Sequence, residues 1–254
     1  MASIVNRKGK YNISENLMIF SRDFNDPLDE SILADMKKCE HIIFNSEFQQ
    51  PVDNLPNNIV KITFQFFDLY SRNMTKPSNL KMDNLSHSLK ELFIYGEYYG
   101  FLDMLPSGLE KLYIEKFTGS NLNNLPNNLK YLKVEYYLAK EQITCFPQNL
   151  KELCFTKFFN QDISHLPDSV EILELGISFE RRITKLPDML KYLKIGDVYH
   201  NDNNNFSSSL EDVIPESIIS ISIFTHSVEE FIKNNKKLDD DIWNKIELNK
   251  DYLY

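Results

Sequence analysis

The sequence predicts a mainly β solenoid of about ten stacked rungs, each giving one short strand to a parallel sheet, with helices capping the C-terminal end. Three observations predict it. Nine of the ten prolines fall at two fixed phases of one repeating phrase. Strand-like segments end at Phe64, Ile94, Ile114, Val134, Phe155, Leu175, Ile195 and Ile223, at offsets of 30, 20, 20, 21, 20, 20 and 28, so the unit is 20–21 residues with two longer insertions. A period of this size is the signature of stacked supersecondary units. Finally, only about ten residues separate each strand from the next Leu-Pro, too few for a helix of three turns.

Two weaker copies come first in the chain, Leu17–Phe20 and Cys39–Phe44, which keep the strand signal at offsets of 24 and 20. Residues 1–16 are expected to be an N-terminal arm and 17–225 the solenoid. Each later unit opens on Leu-Pro or a variant, as in Leu125-Pro126-Asn127-Asn128-Leu129-Lys130-Tyr131-Leu132-Lys133-Val134. The last apolar residues of that phrase alternate with polar ones, the period-2 pattern of a half-buried strand. Extended or 3₁₀ segments are expected opposite the strands. A single rung offers about five large apolar side chains at roughly 1.5–3 kcal/mol each, against an ordering cost of about 30 kcal/mol for twenty residues. Stacking must therefore supply the missing burial, through columns such as Leu112, Leu132, Leu153, Leu173 and Leu193.

Two insertions break the period, at about 68–81, with Tyr70, Arg72, Met74 and Pro77, and at about 197–205, with Asp202, Asn203, Asn204 and Asn205. Residues 226–254 read as a helical cap. Ser227 to Glu230 is a capping-box phrase, with Val228, Phe231 and Ile232 as one apolar stripe. Asp239, Asp240 and Asp241 suit the start of a second helix reaching Asn249, with Ile242, Trp243 and Ile246 on its inner face.

The phrases Phe24-Asn25-Asp26-Pro27-Leu28, Phe48-Gln49-Gln50-Pro51-Val52 and Phe159-Asn160-Gln161-Asp162-Ile163 resemble the FNIP repeat, a short relative of the leucine-rich repeat. Degenerate versions start at Phe179 and Phe206. The resemblance covers most of residues 24–223 and implies a right-handed, leucine-rich-repeat-like solenoid used as a protein-binding surface. It also implies a source among slime-mould-like amoebae or giant viruses of amoebae. In several members the repeats follow an F-box and imply a ubiquitin-ligase adaptor. Here the repeat phase begins near Leu17, so that role is expected only in a form lacking a recognisable F-box.

Composition narrows the partner. A net charge of −9 disfavours nucleic acid and anionic membrane, since neutralising phosphates needs a basic surface. A protein partner is expected, and the negative charge suits a basic one. Three scattered cysteines, Cys39, Cys145 and Cys154, point to a reducing compartment, and no run approaches the length of a membrane span. The expected location is the cytoplasm, that of the host if the protein is viral.

The strand period also lists the outward positions, among them Lys61, Thr63, Gln65, Cys154 and Glu174. Aromatics cluster there at Phe93, Tyr95, Tyr113 and Tyr131. With Lys133 and Tyr192 they form the candidate partner-binding set, each ring able to cover about 150–250 Å² when buried. The other reading is β-face aromatics packing along the sheet. Glu91 beside Lys111 and Glu174 beside Lys194 read as cross-strand charge pairs.

No catalytic residue, cofactor or metal is expected. Cys145 and His165 hold the same place in adjacent rungs, as nucleophilic catalysis would need, yet the column continues as Asn84, Met104, Asn124 and Lys185 with no orienting third group. His41, His87, His165, His200 and His226 have no metal-ligand spacing. The expected function is a non-catalytic protein-interaction module. The alternative is a structural or scaffold component, for instance of a viral particle or factory, that associates with itself through its rungs.

Overall fold

The computed structural model describes residues 5–7, 9–66, 78, 80–119, 122–197 and 204–249. The chain forms two compact units, Met1–Leu129 with Ala139–Glu141, and Lys130–Leu138 with Gln142–Tyr254. In the first, β1 (Val5–Arg7), β2 (Tyr11–Ser14) and β3 (Leu17–Phe20) are antiparallel neighbours. From β3 the strands run parallel in chain order, through β4 (His41–Phe44), β5 (Lys61–Gln65), β6 (Glu91–Tyr98) and β7 (Lys111–Phe117). The second unit continues the pattern with β8 (Tyr131–Tyr137), β9 (Glu152–Lys157), β10 (Ile172–Leu175), β11 (Tyr192–Ile195), β12 (Ser220–Phe224) and β13 (Ile246–Asn249). The fold is a mainly β solenoid of short parallel strands.

The register follows the sequence columns. In the first unit Phe44, Phe64, Ile94 and Ile114 are successive Cα partners, and in the second Val134, Phe155, Leu175, Ile195 and Ile223 are. The adjacent column is buried throughout: Leu132, Leu153 and Leu173 are wholly inaccessible and Leu193 only 2% exposed. Leu112, in the first unit, is equally buried against Leu92. Parallel strands in register place each apolar side chain over its counterpart about 4.8 Å away, so one continuous core serves every rung of a unit.

Proline opens a tight turn in seven rungs, and Ser86 opens the same turn before β6. The N–H of Ile59, Leu109, Leu129, Leu150, Val170, Leu190 and Ile218 donates to the carbonyl of the proline three residues earlier, at 3.0–3.2 Å. Two residues after four of these prolines a small polar side chain reaches back to the preceding rung. Ser169 Oγ lies 2.8 Å from Gln148 O and 2.7 Å from Leu150 O, and Ser217 Oγ stands likewise at 2.8 and 2.7 Å from Asp188 O and Leu190 O. Asn58, Ser88 and Asn128 make the same kind of link. These side chains satisfy turn carbonyls that the parallel ladder leaves unpaired.

Opposite the strands the aromatic of the FNIP-like phrase forms a ladder. Phe24 stacks on Phe48 with ring centroids 6.0 Å apart, and in the second unit Phe159, Phe179 and Phe206 follow one another at 6.4 and 6.0 Å. The asparagine beside it ties consecutive rungs: Asn25 Oδ1 accepts from the Gln49 N–H at 2.8 Å and Asn160 Oδ1 from the Glu180 N–H at 3.1 Å.

Three details differ from the sequence expectation. The segment after β3 holds a helix, α1 (Glu30–Met36), rather than an extended or 3₁₀ stretch. The longer offset of that rung gives it room, and Asp29 caps it by accepting from the Ile32 N–H at 2.9 Å. At the C-terminal end α2 (Val228–Asn234) carries no side-chain cap from Ser227, and Ile232 points outward, 43% exposed. Only Phe231 packs inward, 6.2 Å from Phe206 as the next step of the aromatic ladder. The second helix, α3 (Asp240–Trp243), starts at the Asp239 cap as expected but lasts one turn, and Ile246 belongs to β13, paired with Ile221 of β12. The segment therefore adds a strand to the sheet instead of covering it only with helix. Tyr70, Arg72, Met74 and Pro77 of the first insertion, and Asp202 and Asn203 of the second, lie outside the described residues, as does His200.

Candidate strand-face interface

Period-2 alternation turns one side of the strands into the core and leaves the other side outward, with β5 and β9 carrying three buried residues in a row. In the first unit β6 and β7 read buried and half-buried in alternation, with Phe93, Tyr95 and Tyr113 on the outer side. The three rings touch: Tyr113 stands 6.0 Å from Phe93 and 4.8 Å from Tyr95, both tilted. A bulge in β6 between Ile94 and Glu97 contains Gly96 with φ of +91°, a conformation glycine adopts without strain. Its N–H donates to Glu115 Oε2 at 2.8 Å, and a Cβ there would lie 2.9 Å from the Phe66 carbonyl carbon. Glycine thus lets the strand kink just after Tyr95 and fixes where that ring points.

Beside the rings lies a hollow of about 270 Å³ lined by His41, Ile43, Lys61, Thr63, Gln65, Phe93 and Tyr95. Lys61 occupies its side: the ammonium is 4.5 Å from the centroid of Phe93 and 3.4 Å from Glu91 Oε2. His41 Nε2 and Thr63 Oγ1 share a hydrogen bond of 3.0 Å. Burial, and next to it the charge of Lys61, hold the His41 pKa below its ordinary value, so the ring is neutral at neutral pH. Lys61 and Gln65 are outward positions that the strand period identifies, whereas Thr63, expected outward with them, lines the hollow but is buried at 5% exposure. His41 and Ile43 come from the weak upstream copy, and extending the same columns by one rung would have found them.

In the second unit Tyr131 and Lys133 stand half-buried on β8, and Tyr192 on β11 is 45% exposed. Lys133 Nζ is 3.3 Å from Glu135 Oε1. Tyr131 is held above the usual phenol range, chiefly by burial. Cys154, an expected outward residue, is buried instead, at 8% exposure, and its thiol donates to Glu174 Oε2 at 3.2 Å. Burial and that carboxylate push the thiol pKa strongly up, which makes it a poor nucleophile. Lys194 is the register partner of Glu174, as expected, and its ammonium also lies 3.9 Å from Asp197 and 5.9 Å from the centroid of Phe224. The six candidate residues thus divide three and three between the units, and in each unit they share the outward side of the strands.

The Cys145 and His165 pair does not form a catalytic contact. Cys145 is exposed and its thiol faces the Phe146 carbonyl at 3.8 Å. The His165 ring stacks on Phe146 with centroids 5.3 Å apart, and its Nε2 is enclosed without a hydrogen-bond partner. Among the described residues no three His, Cys, Asp or Glu side chains group as a metal site, and no helix is long and apolar enough to cross a membrane.

Comparison with known proteins agrees with the geometry. Residues 140–179 match the model of the FNIP repeat. A crystal structure described as that of CroV588, a novel circular LRR protein, is similar over 85% of this chain, with 27% identity and a TM-score of 0.53. This chain spans 38% of the length of that protein. No curated protein matches the sequence. Together the repeat period, the in-register parallel strands and these two likenesses identify the chain as an FNIP/leucine-rich-repeat-like repeat protein.

Proposed function

We propose that the chain is a non-catalytic protein-interaction module that holds a protein partner on the outward side of its strands. Phe93, Tyr95 and Tyr113 contribute from the first unit and Tyr131, Lys133 and Tyr192 from the second. One observation carries the reading: three touching aromatic rings and a hollow of about 270 Å³ stand on a face that the core does not need, since every apolar column is already buried beneath it. Aromatic side chains in such places supply large contact area at low entropic cost. The repeat solenoid is a fold of interaction proteins, and the three cysteines are free, in keeping with a reducing, cytoplasmic setting.

The test is affinity capture with the wild-type chain and with Tyr113→Ser and Tyr131→Ser. The expected result is loss of the captured partner in the variants with little change in melting temperature. Unchanged capture would remove the reading. Sedimentation over a concentration series separates it from a self-associating scaffold, because a partner-binding module stays monomeric where a scaffold assembles.

A further inference from the structure

We propose that the hollow on the first unit's strand face receives an arginine side chain from a basic segment of the partner, and that Lys61 holds that place until the arginine arrives. This rests on the reading of the strand face as a binding surface and assigns the chemistry of one of its subsites.

The position already holds a cation. The Lys61 ammonium lies 4.5 Å over the Phe93 ring and 3.4 Å from Glu91 Oε2, so a ring face and a carboxylate converge where a positive group sits. Lys61 is a removable occupant, because its side chain is 34% exposed on a flexible four-carbon stem. Lys111 on β7 is the register partner of Glu91. Without the Lys61 ammonium, the lining consists of two aromatic rings, the Thr63 hydroxyl, the Gln65 amide and the neutral His41 ring beside Ile43. Such a lining offers acceptors and π faces, and Lys61 is the one lysine or arginine among the lining residues.

A guanidinium suits the Phe93 ring in the lining and the Glu91 carboxylate beside it better than the lysine it would displace. It is planar and weakly hydrated, it stacks on aromatic faces, and it can meet a carboxylate with two parallel N–H donors. The open volume of about 270 Å³ accommodates one long side chain entering from solvent. The chain's net charge of −9 favours the approach of basic segments over acidic ones.

The experiment is an NMR titration of the whole chain with three capped amino acids, N-acetyl-arginine amide, N-acetyl-glutamate amide and N-acetyl-phenylalanine amide, following the His41, Phe93 and Tyr95 ring resonances. The arginine probe is expected to shift these resonances and to bind more tightly than the other two. Lys61→Met, which keeps the apolar stem and removes the charge, is expected to tighten the arginine probe about fivefold, and Glu91→Gln to weaken it by about the same factor. A preference for the glutamate probe, no shift with any probe, or weaker arginine binding in Lys61→Met would overturn the proposal. Preference for the phenylalanine probe would also overturn it while leaving the strand face a binding surface. The parent reading fails separately, through unchanged capture by Tyr113→Ser and Tyr131→Ser.

Discussion

Ser169 ties two rungs together with one hydroxyl, shared between the Gln148 and Leu150 carbonyls of the rung before it. Ser169→Ala should cost about 0.5–1.5 kcal/mol, the net worth of a hydrogen bond whose loss leaves backbone acceptors underserved, read from the urea midpoint at unchanged slope. The apolar columns were legible because every rung repeats the same chemistry. The small polar column was not, because its occupants change from Asn58 to Ser88 to Asn128 to Ser169 to Ser217 while Gly108, Asn149 and Met189 interrupt it. What unites them is the distance to a carbonyl one rung away, which no linear spacing displays. The same limit applies at the hollow: Lys61 and Gln65 could be placed outward from the period, whereas the meeting of Lys61 with Phe93 and Glu91 depends on where a long side chain turns.

Between neighbouring strands, charge adds to packing. Glu171 accepts from Lys151 at 3.0 Å and from Lys191 at 2.6 Å, one rung to either side. The hydrogen bonds from Lys191 and then Lys151 hold its carboxyl below the ordinary 4.5. With a folded pKa below the unfolded one, Glu171 adds stability above pH 4.5, and that contribution is lost as the pH falls through the folded value. Glu171→Gln should therefore flatten the acid limb of the stability profile, and since the group is solvated the effect will shrink in high salt. On the opposite side the stacked phenylalanines dominate. Phe179, wholly buried between Phe159 and Phe206, should cost about 3–5 kcal/mol when replaced by alanine, measured by chemical denaturation. The continuation of this ladder into Phe231 of α2 was hidden in the sequence because its period breaks where strand spacing gives way to helix. The last strand escaped for another reason. Ile246-Glu247-Leu248 alternates as a strand should, but the Asp239 cap signals a helix so strongly that the short alternation after it read as helix too.

In each unit of the chain, buried apolar columns run from rung to rung. The architecture could be read in advance because twenty-residue repetition leaves one way to bury five apolar side chains per unit, namely against their own copies. The interface was legible only as a face, since partner chemistry enters through a hollow assembled from three strands, β4, β5 and β6. The most direct measurement is a double-mutant cycle in the second unit with Leu153→Ala and Leu173→Ala, residues that are register partners and wholly buried. If neighbouring rungs share one interior, the pair will show a coupling of about 0.5–3 kcal/mol in urea denaturation, while Leu153→Ala and Ile221→Ala, further apart in the same column, add within about 0.5 kcal/mol. Strict additivity for Leu153 and Leu173 would contradict the stacked core on which every other conclusion depends.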